Sequence, residues 1–330
     1  MRRRRFIAAG LGVACAAGAG AMPALAAGRN GLLTATDVHV SDYPTVEAMR
    51  WIGQTLERET RGRLRIRLYH SGQLGREAEA IDMARFGAID FARVYSGALN
   101  NAFPLTRALC LPYAFDSVAH MRRSMDGEVG RAVLDGFSGR GLVGLAIYDS
   151  GARCFYNARR PIRTPADLHG MKIRVPVSDI FIRLLRQFGA NATPLSLGEV
   201  YSGMETRMID GAENNIRSFH SSRHFEAARY WSQSEHSYAP DVLLLSRRTW
   251  DALDAGDREL LRDAARRSVA VMREAWDASE AAAREEVLAA GIEANEVDID
   301  AFRAAAAPLL AGYRRDPRIE ALYAQIRATA

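Results

Sequence analysis

Between His169 and His220 the chain alternates two periodicities in short segments, and that alternation leaves few folds open. Met171-Lys172-Ile173-Arg174-Val175 alternates apolar and basic residues, the period of a half-buried strand. It sets Lys172 and Arg174 on the face opposite Met171, Ile173 and Val175. Pro176 has no N–H to donate and ends the ladder. Ile180, Phe181, Leu184, Leu185 and Phe188 then fall on one helical stripe, which Ser178 or Asp179 can cap and Gly189 can close. Ala192–Leu195 reads as a second short strand. Ser196 and Glu199 form a capping box for a second helix carrying Val200, Met204 and Met208. Ile209-Asp210-Gly211-Ala212-Glu213-Asn214-Asn215 reads as an apolar entry into a turn crowded with polar side chains. Strand and helix in this succession predict α/β layers.

The same rhythm opens the chain. Thr34–His39 reads as a strand, a helix with Val46, Met49, Ile52 and Leu56 inward follows Pro44, and Leu64–Tyr69 alternates as a strand. The turn His70–Gly75 leads into another helix, and Ala88-Ile89-Asp90-Phe91 begins a further strand. Leu142–Tyr148 and Asp241–Leu245 are apolar strands. From Asp257 to Leu288 the apolar residues keep helical spacing. About thirty residues at ~1.5 Å each span roughly 45–50 Å, longer than one domain of this size. A chain of 330 residues is long enough for two domains, each with its own core.

Four motifs occur in one order: Lys172-Ile173-Arg174-Val175, then Gly189-Ala190 with Thr193-Pro194-Leu195, then Glu199-Val200-Tyr201, then Ile209-Asp210-Gly211-Ala212-Glu213-Asn214. From about Thr34 to the C-terminus the chain resembles the substrate-binding subunits of TRAP transporters, the DctP-type family. The resemblance implies an α/β, two-lobed periplasmic binding protein of type II-like architecture, with a long helix spanning both lobes. Residues 28–151 and 240–279 would form lobe I. Residues 152–239 and 280–330 would form lobe II, with the tail from Ala290 to Ala330 adding helices there. A non-enzymatic receptor is implied, one that captures an organic acid between the lobes and delivers it to TRAP membrane permease subunits. A sensor feeding a signalling protein would carry the same sequence. No nucleic-acid partner, metal or cofactor is called for, and a monomer is expected.

The resemblance also assigns site residues. Arg174 matches the arginine that grips the ligand carboxylate. Guanidinium is planar, permanently charged and forked, so it suits a carboxylate with two parallel hydrogen bonds. From the residues alone, a salt bridge to an acid of the same sheet competes with that role. Arg153 matches a second arginine reaching the ligand from the domain junction, with an interdomain salt bridge as its alternative. Asn214 matches the motif's asparagine, and an amide can both donate and accept. Asn215 is a weaker match, and Glu213 reads as ligand group or orienter. On the facing lobe the candidates are His39, Glu77, Arg93 and Tyr95, while Tyr43 reads as a hydrophobic staple of its helix. The segments around His39, Arg153 and Asn214 are similar to the branch that takes sugar acids such as uronates; a C4-dicarboxylate is the alternative ligand. One departure stands out: Arg207 occupies a position where relatives carry glycine, and an exposed helix end is expected there.

Charge and cysteines complete the reading. Arg2–Arg5 supply four of the five net positive charges, and the first 27 residues contain no acid. The remainder is nearly neutral, unlike a nucleic-acid-binding protein, which keeps its charge on the folded part. Arg2–Arg5, the apolar run Phe6–Met22 and the Ala24-Leu25-Ala26 site make residues 1–27 a signal peptide, so a periplasmic location is expected. Arg3-Arg4 with Phe6-Ile7 also resembles a twin-arginine signal, and both that route and Sec stay open. Cys110 and Cys154 survive cleavage. Two buried thiols are preferred to a disulfide. Catalytic signatures such as G-x-S-x-G or a zinc motif are missing.

Overall fold

The computed structural model describes residues 31–330, so the expected signal peptide lies outside the described residues. In chain order the strands are β1 (Leu32–Thr36), β2 (Arg65–Tyr69), β3 (Phe91–Tyr95), β4 (Leu142–Tyr148), β5 (Arg153–Asn157), β6 (Lys172–Val175), β7 (Asn191–Pro194), β8 (Gly211–Asn214), β9 (Tyr230–Ser237), β10 (Asp241–Ser246) and β11 (Glu293–Glu296). The helices are α1 (Pro44–Glu59), α2 (Glu77–Phe86), α3 (Ser96–Leu99), α4 (Arg107–Cys110), α5 (Val118–Asp126), α6 (Glu128–Asp135), α7 (Asp179–Gln187), α8 (Val200–Glu205), α9 (Ile216–Ser221), α10 (Arg247–Ala252), α11 (Ala255–Ala289), α12 (Ile299–Tyr313) and α13 (Pro317–Arg327).

Two mixed sheets result. The first runs β2-β1-β3-β10-β4, with β1 parallel to β2 and β3 and with β10 antiparallel to β3 and β4. The second runs β11-β9-β5-β8-β6-β7, with β6 parallel to β7 and β8 and with β5 antiparallel to β8 and β9. The chain leaves the first sheet through Asp149–Ala152 and returns to it through Tyr238–Pro240. α11 makes a third link. Asp254 caps it by accepting from the Asp257 N–H at 2.8 Å, and the helix continues unbroken for 35 residues, about 50 Å. Its Leu261, Ala264, Ala265, Ser268 and Met272 face the first sheet and α1, and its C-terminal half packs on α9.

Local sequence explains most of these elements. The Ser196–Glu199 capping box forms as expected, and Pro44 sits at the start of α1. Gly189 takes φ +84° after α7. Arg207 is exposed just past α8 and sits at φ +57°, where glycine is at ease and an arginine costs about 1–2 kcal/mol. The expected glycine-to-arginine departure therefore falls on a left-handed helix end and leaves the cavity between the lobes untouched.

Two expectations need correction. Gly211–Asn214 is a fully buried strand between β5 and β6, not a polar turn. Its polar side chains are matched within the sheet, and Gly211 is needed because a Cβ there would lie 2.2 Å from the Tyr156 carbonyl oxygen. The tail is also divided. β11 joins the second sheet and α12 packs on α7 and β9, but α13 crosses to α4, α5 and α6 beside the first sheet. Its apolar face, Ile319, Leu322 and Ile326, is buried there, and Arg327 pairs with Asp116 at 2.8 Å. Cys110 and Cys154 are separate buried thiols.

Candidate functional site

The two sheets present strand ends to one another, and the side chains that project there line a single small cavity of about 30 Å³. Ligand sites at the ends of α/β strands are common because side chains converge there while the backbone stays paired. Arg174, Arg153, Asn214, Asn215, Glu77, Arg93, His39 and Tyr95 all line this cavity, so the structure brings these eight candidates together, while Glu213 and Tyr43 stand behind the lining. They differ sharply in how far they are already engaged.

On the second lobe, β6 delivers Arg174, which is 4% exposed. Its Nε donates to the Leu195 carbonyl at 2.9 Å, which fixes the side chain along β7. Among the described residues no carboxylate lies within ion-pair distance of it. Burial holds its pKa below the usual arginine range, and the Arg153 guanidinium adds to that. A buried guanidinium in this state is costly, and an anion in the cavity would relieve it.

Arg153, at the start of β5, is the opposite case. Its Nε donates to Glu213 Oε2 at 2.5 Å and its Nη2 to Glu213 Oε1 at 2.9 Å. Nη1 donates to Asn214 Oδ1 at 3.0 Å. The guanidinium lies 4.7 Å from the Tyr95 ring and 5.4 Å from that of Phe181, with which it makes cation–π contacts. Burial works against its charge, but Glu213 outweighs that and keeps Arg153 firmly protonated. Glu213 is thus an orienter: it also meets His236 Nε2 at 3.3 Å, and these contacts overcome burial to lower its own pKa. Asn215 is largely spent as well. It caps α9 by accepting from the Ser218 N–H at 2.6 Å.

The first-lobe wall is rich in acids. Arg93 on β3 is held by the Asp37 carboxylate, with Nε to Oδ2 at 3.0 Å and Nη2 to Oδ1. Its Nη1 donates to Glu77 Oε1 at 3.2 Å and lies 3.3 Å from Asp241. Glu77, the first residue of α2, also accepts from the Tyr95 N–H at 2.8 Å. His39 stacks on Tyr43 with ring centroids 3.7 Å apart. Burial, helped by Arg93, pushes the His39 pKa down to about 3, so this imidazole is neutral at ordinary pH.

Three contributors escaped the sequence reading. Asp37 commits Arg93. Asp241 opens β10 and lines the cavity; an acid leading the apolar run Val242–Leu245 was the available signal. Tyr43 does more than staple α1: its hydroxyl lies 2.8 Å from Ser218 Oγ on the other lobe. Next to it Arg217 Nη2 donates to Asp42 Oδ2 at 3.0 Å, a second bridge between the lobes.

Comparison with known proteins agrees with this architecture. The family model for bacterial extracellular solute-binding protein, family 7 (DctP), matches residues 36–316. A solute-binding protein of Chromohalobacter salexigens is 36% identical over 88% of this chain and 87% of its own. The 2,3-diketo-L-gulonate-binding periplasmic protein YiaO of Escherichia coli is 33% identical over 66% of each chain. Among solved structures, a TRAP periplasmic solute-binding protein from Xanthobacter autotrophicus with bound β-D-galacturonate superposes with a TM-score of 0.88 at 43% identity, covering 90% of this chain and 99% of its own. One from Chromohalobacter salexigens with bound D-glucuronate gives 0.88 at 35%, covering 90% of this chain and all of its own. With the sheets, the long helix and the arginine-lined cavity in place, the chain belongs to the DctP family of extracellular solute-binding proteins, the receptors of TRAP transporters.

Proposed function

We propose that this protein captures a sugar acid, a uronate such as galacturonate or glucuronate, between its two lobes and hands it to TRAP membrane permease subunits from the periplasm. The observation that carries the reading is Arg174, a buried guanidinium on the cavity wall with no acid partner among the described residues. A ligand carboxylate would supply that partner through two parallel charge-assisted hydrogen bonds. Asn214, Glu77 and His39 line the same cavity and suit hydroxyl groups rather than a bare hydrocarbon. The bound uronates of the similar structures support the ligand class.

The cavity volume of about 30 Å³ is room for little more than a water molecule, less than any six-carbon acid needs. The lobes therefore separate to admit the ligand and close over it, and the Tyr43–Ser218 and Asp42–Arg217 contacts belong to the closed arrangement. In this reading the protein acts as a monomer and as a binding protein, not as a catalyst. Isothermal titration with galacturonate, glucuronate, succinate and malate tests the reading. Micromolar or tighter binding, about −8 kcal/mol or better, is expected for a uronate. Binding of the C4-dicarboxylates without the uronates would overturn it.

A further inference from the structure

Asp241 lines the cavity, and the contacts above leave its carboxyl oxygens unused, as they do the Tyr95 hydroxyl and the outer nitrogens of Arg174. Asp241 is 1% exposed, and neither carboxyl oxygen accepts a hydrogen bond from any of the described residues. Arg93 Nη1 stands 3.3 Å away, but that guanidinium already donates to Asp37 through Nε and Nη2 and to Glu77 through Nη1. The position is rigid. Asp241 pairs with Tyr95 of β3 on one side and with Tyr148 of β4 on the other, so its backbone cannot swing the carboxyl to another partner. A buried carboxyl without donors is costly to hold, and such groups are retained where something else completes them.

We infer that Asp241 is a specificity-determining residue that accepts a hydrogen bond from a ligand hydroxyl at the first-lobe end of the cavity. The inference rests on the sugar-acid reading above and adds a direction to it. Arg174 marks the anionic end of the ligand on the second lobe. Asp37, Glu77 and Asp241 surround a single arginine on the first, so that wall carries excess negative charge and favours a donor over a second carboxylate. A six-carbon acid would enter with its carboxylate toward β6 and its hydroxyls toward β10. Burial, with Glu77 and Asp37 nearby, raises the Asp241 pKa to about 7 against the pull of Arg93 and Arg153. Either protonation state keeps a lone pair for a hydroxyl.

A site built around a ligand hydroxyl penalises the analogue lacking it, because its own polar group is then left unpaired. The test is a double-mutant cycle between protein and ligand, run by isothermal titration on the full mature chain. Wild type, Asp241→Ala and Asp241→Asn are titrated with galacturonate and with its monodeoxy analogues. For at least one ring position, removing the hydroxyl should weaken wild-type binding at least tenfold and Asp241→Ala binding less than twofold. Asp241→Asn, which keeps an acceptor, should fall between and serves if Asp241→Ala does not fold. If uronates bind but every deoxy penalty is the same in wild type and variants, this inference alone fails. If no uronate binds at all, the ligand reading falls and takes the inference with it.

Discussion

Arg153 and Glu213 face each other at the back of the cavity, two hydrogen bonds joining guanidinium to carboxylate at 2.5 and 2.9 Å. Arg174, two strands further along the same sheet, has nothing comparable. One arginine is therefore a fixed part of the wall, and the other has no acid partner among the described residues. The division follows from the sheet. β8 lies between β5 and β6, and Glu213 on β8 pairs in register with Phe155, close enough for its side chain to reach back to Arg153.

Arg174→Met should separate stability from function. Truncating one partner of a buried charge pair costs about 2–5 kcal/mol of binding, so uronate affinity should drop by roughly 30- to 4,000-fold in titration calorimetry. Scanning calorimetry of the ligand-free variant should show an unchanged or higher melting temperature, because the lost guanidinium had no acid partner to repay its burial.

Glu213→Ala should behave in the reverse way. It strands the Arg153 charge in the interior, and breaking a buried pair costs about 3–5 kcal/mol. Thermal and urea unfolding should both show the loss, and Glu213→Gln, which keeps the hydrogen-bond acceptor, should lose less. An unaltered melting temperature in Glu213→Ala would contradict the pairing.

Tyr43→Phe removes the hydroxyl that meets Ser218 across the lobes and leaves the ring stacked on His39. One neutral hydrogen bond contributes about 1 kcal/mol. Dissociation of the bound acid, followed by stopped-flow fluorescence, should speed up about fivefold, with the association rate little changed.

Stability should also depend on pH through Asp241, whose folded-state pKa is raised from 3.8 to about 7. The unfolded chain releases this proton more readily. Its contribution to stability is therefore complete below about pH 4 and is lost as pH rises through 7. Asp241→Asn cannot ionise, so the melting temperature of the variant relative to wild type should climb between pH 4 and 8. The change amounts to about 3–4 kcal/mol over that range, at about 1.4 kcal/mol per pKa unit. A difference that is flat with pH would show that Asp241 titrates normally.

Local pattern alone determined the α/β layering, the position of Arg174 on a strand face and the capping box at Ser196, because each depends on residues a few positions apart. Helical spacing continued from Asp257 to Leu288, but it was the resemblance that made this one unbroken helix. The resemblance added the cavity and its eight residues. Which of those residues stay open was decided only by tertiary structure. Arg93 is consumed by Asp37, 56 residues away, and Asn215 by the end of its own helix. Asp241 gained its place by pairing β10 with β3 and β4, and α13 found its cover on the lobe opposite to the one its neighbours suggested. A local pattern specifies which face of a strand is polar. Which charge meets which partner is set by sheet order and register, and those depend on contacts between segments far apart in the chain.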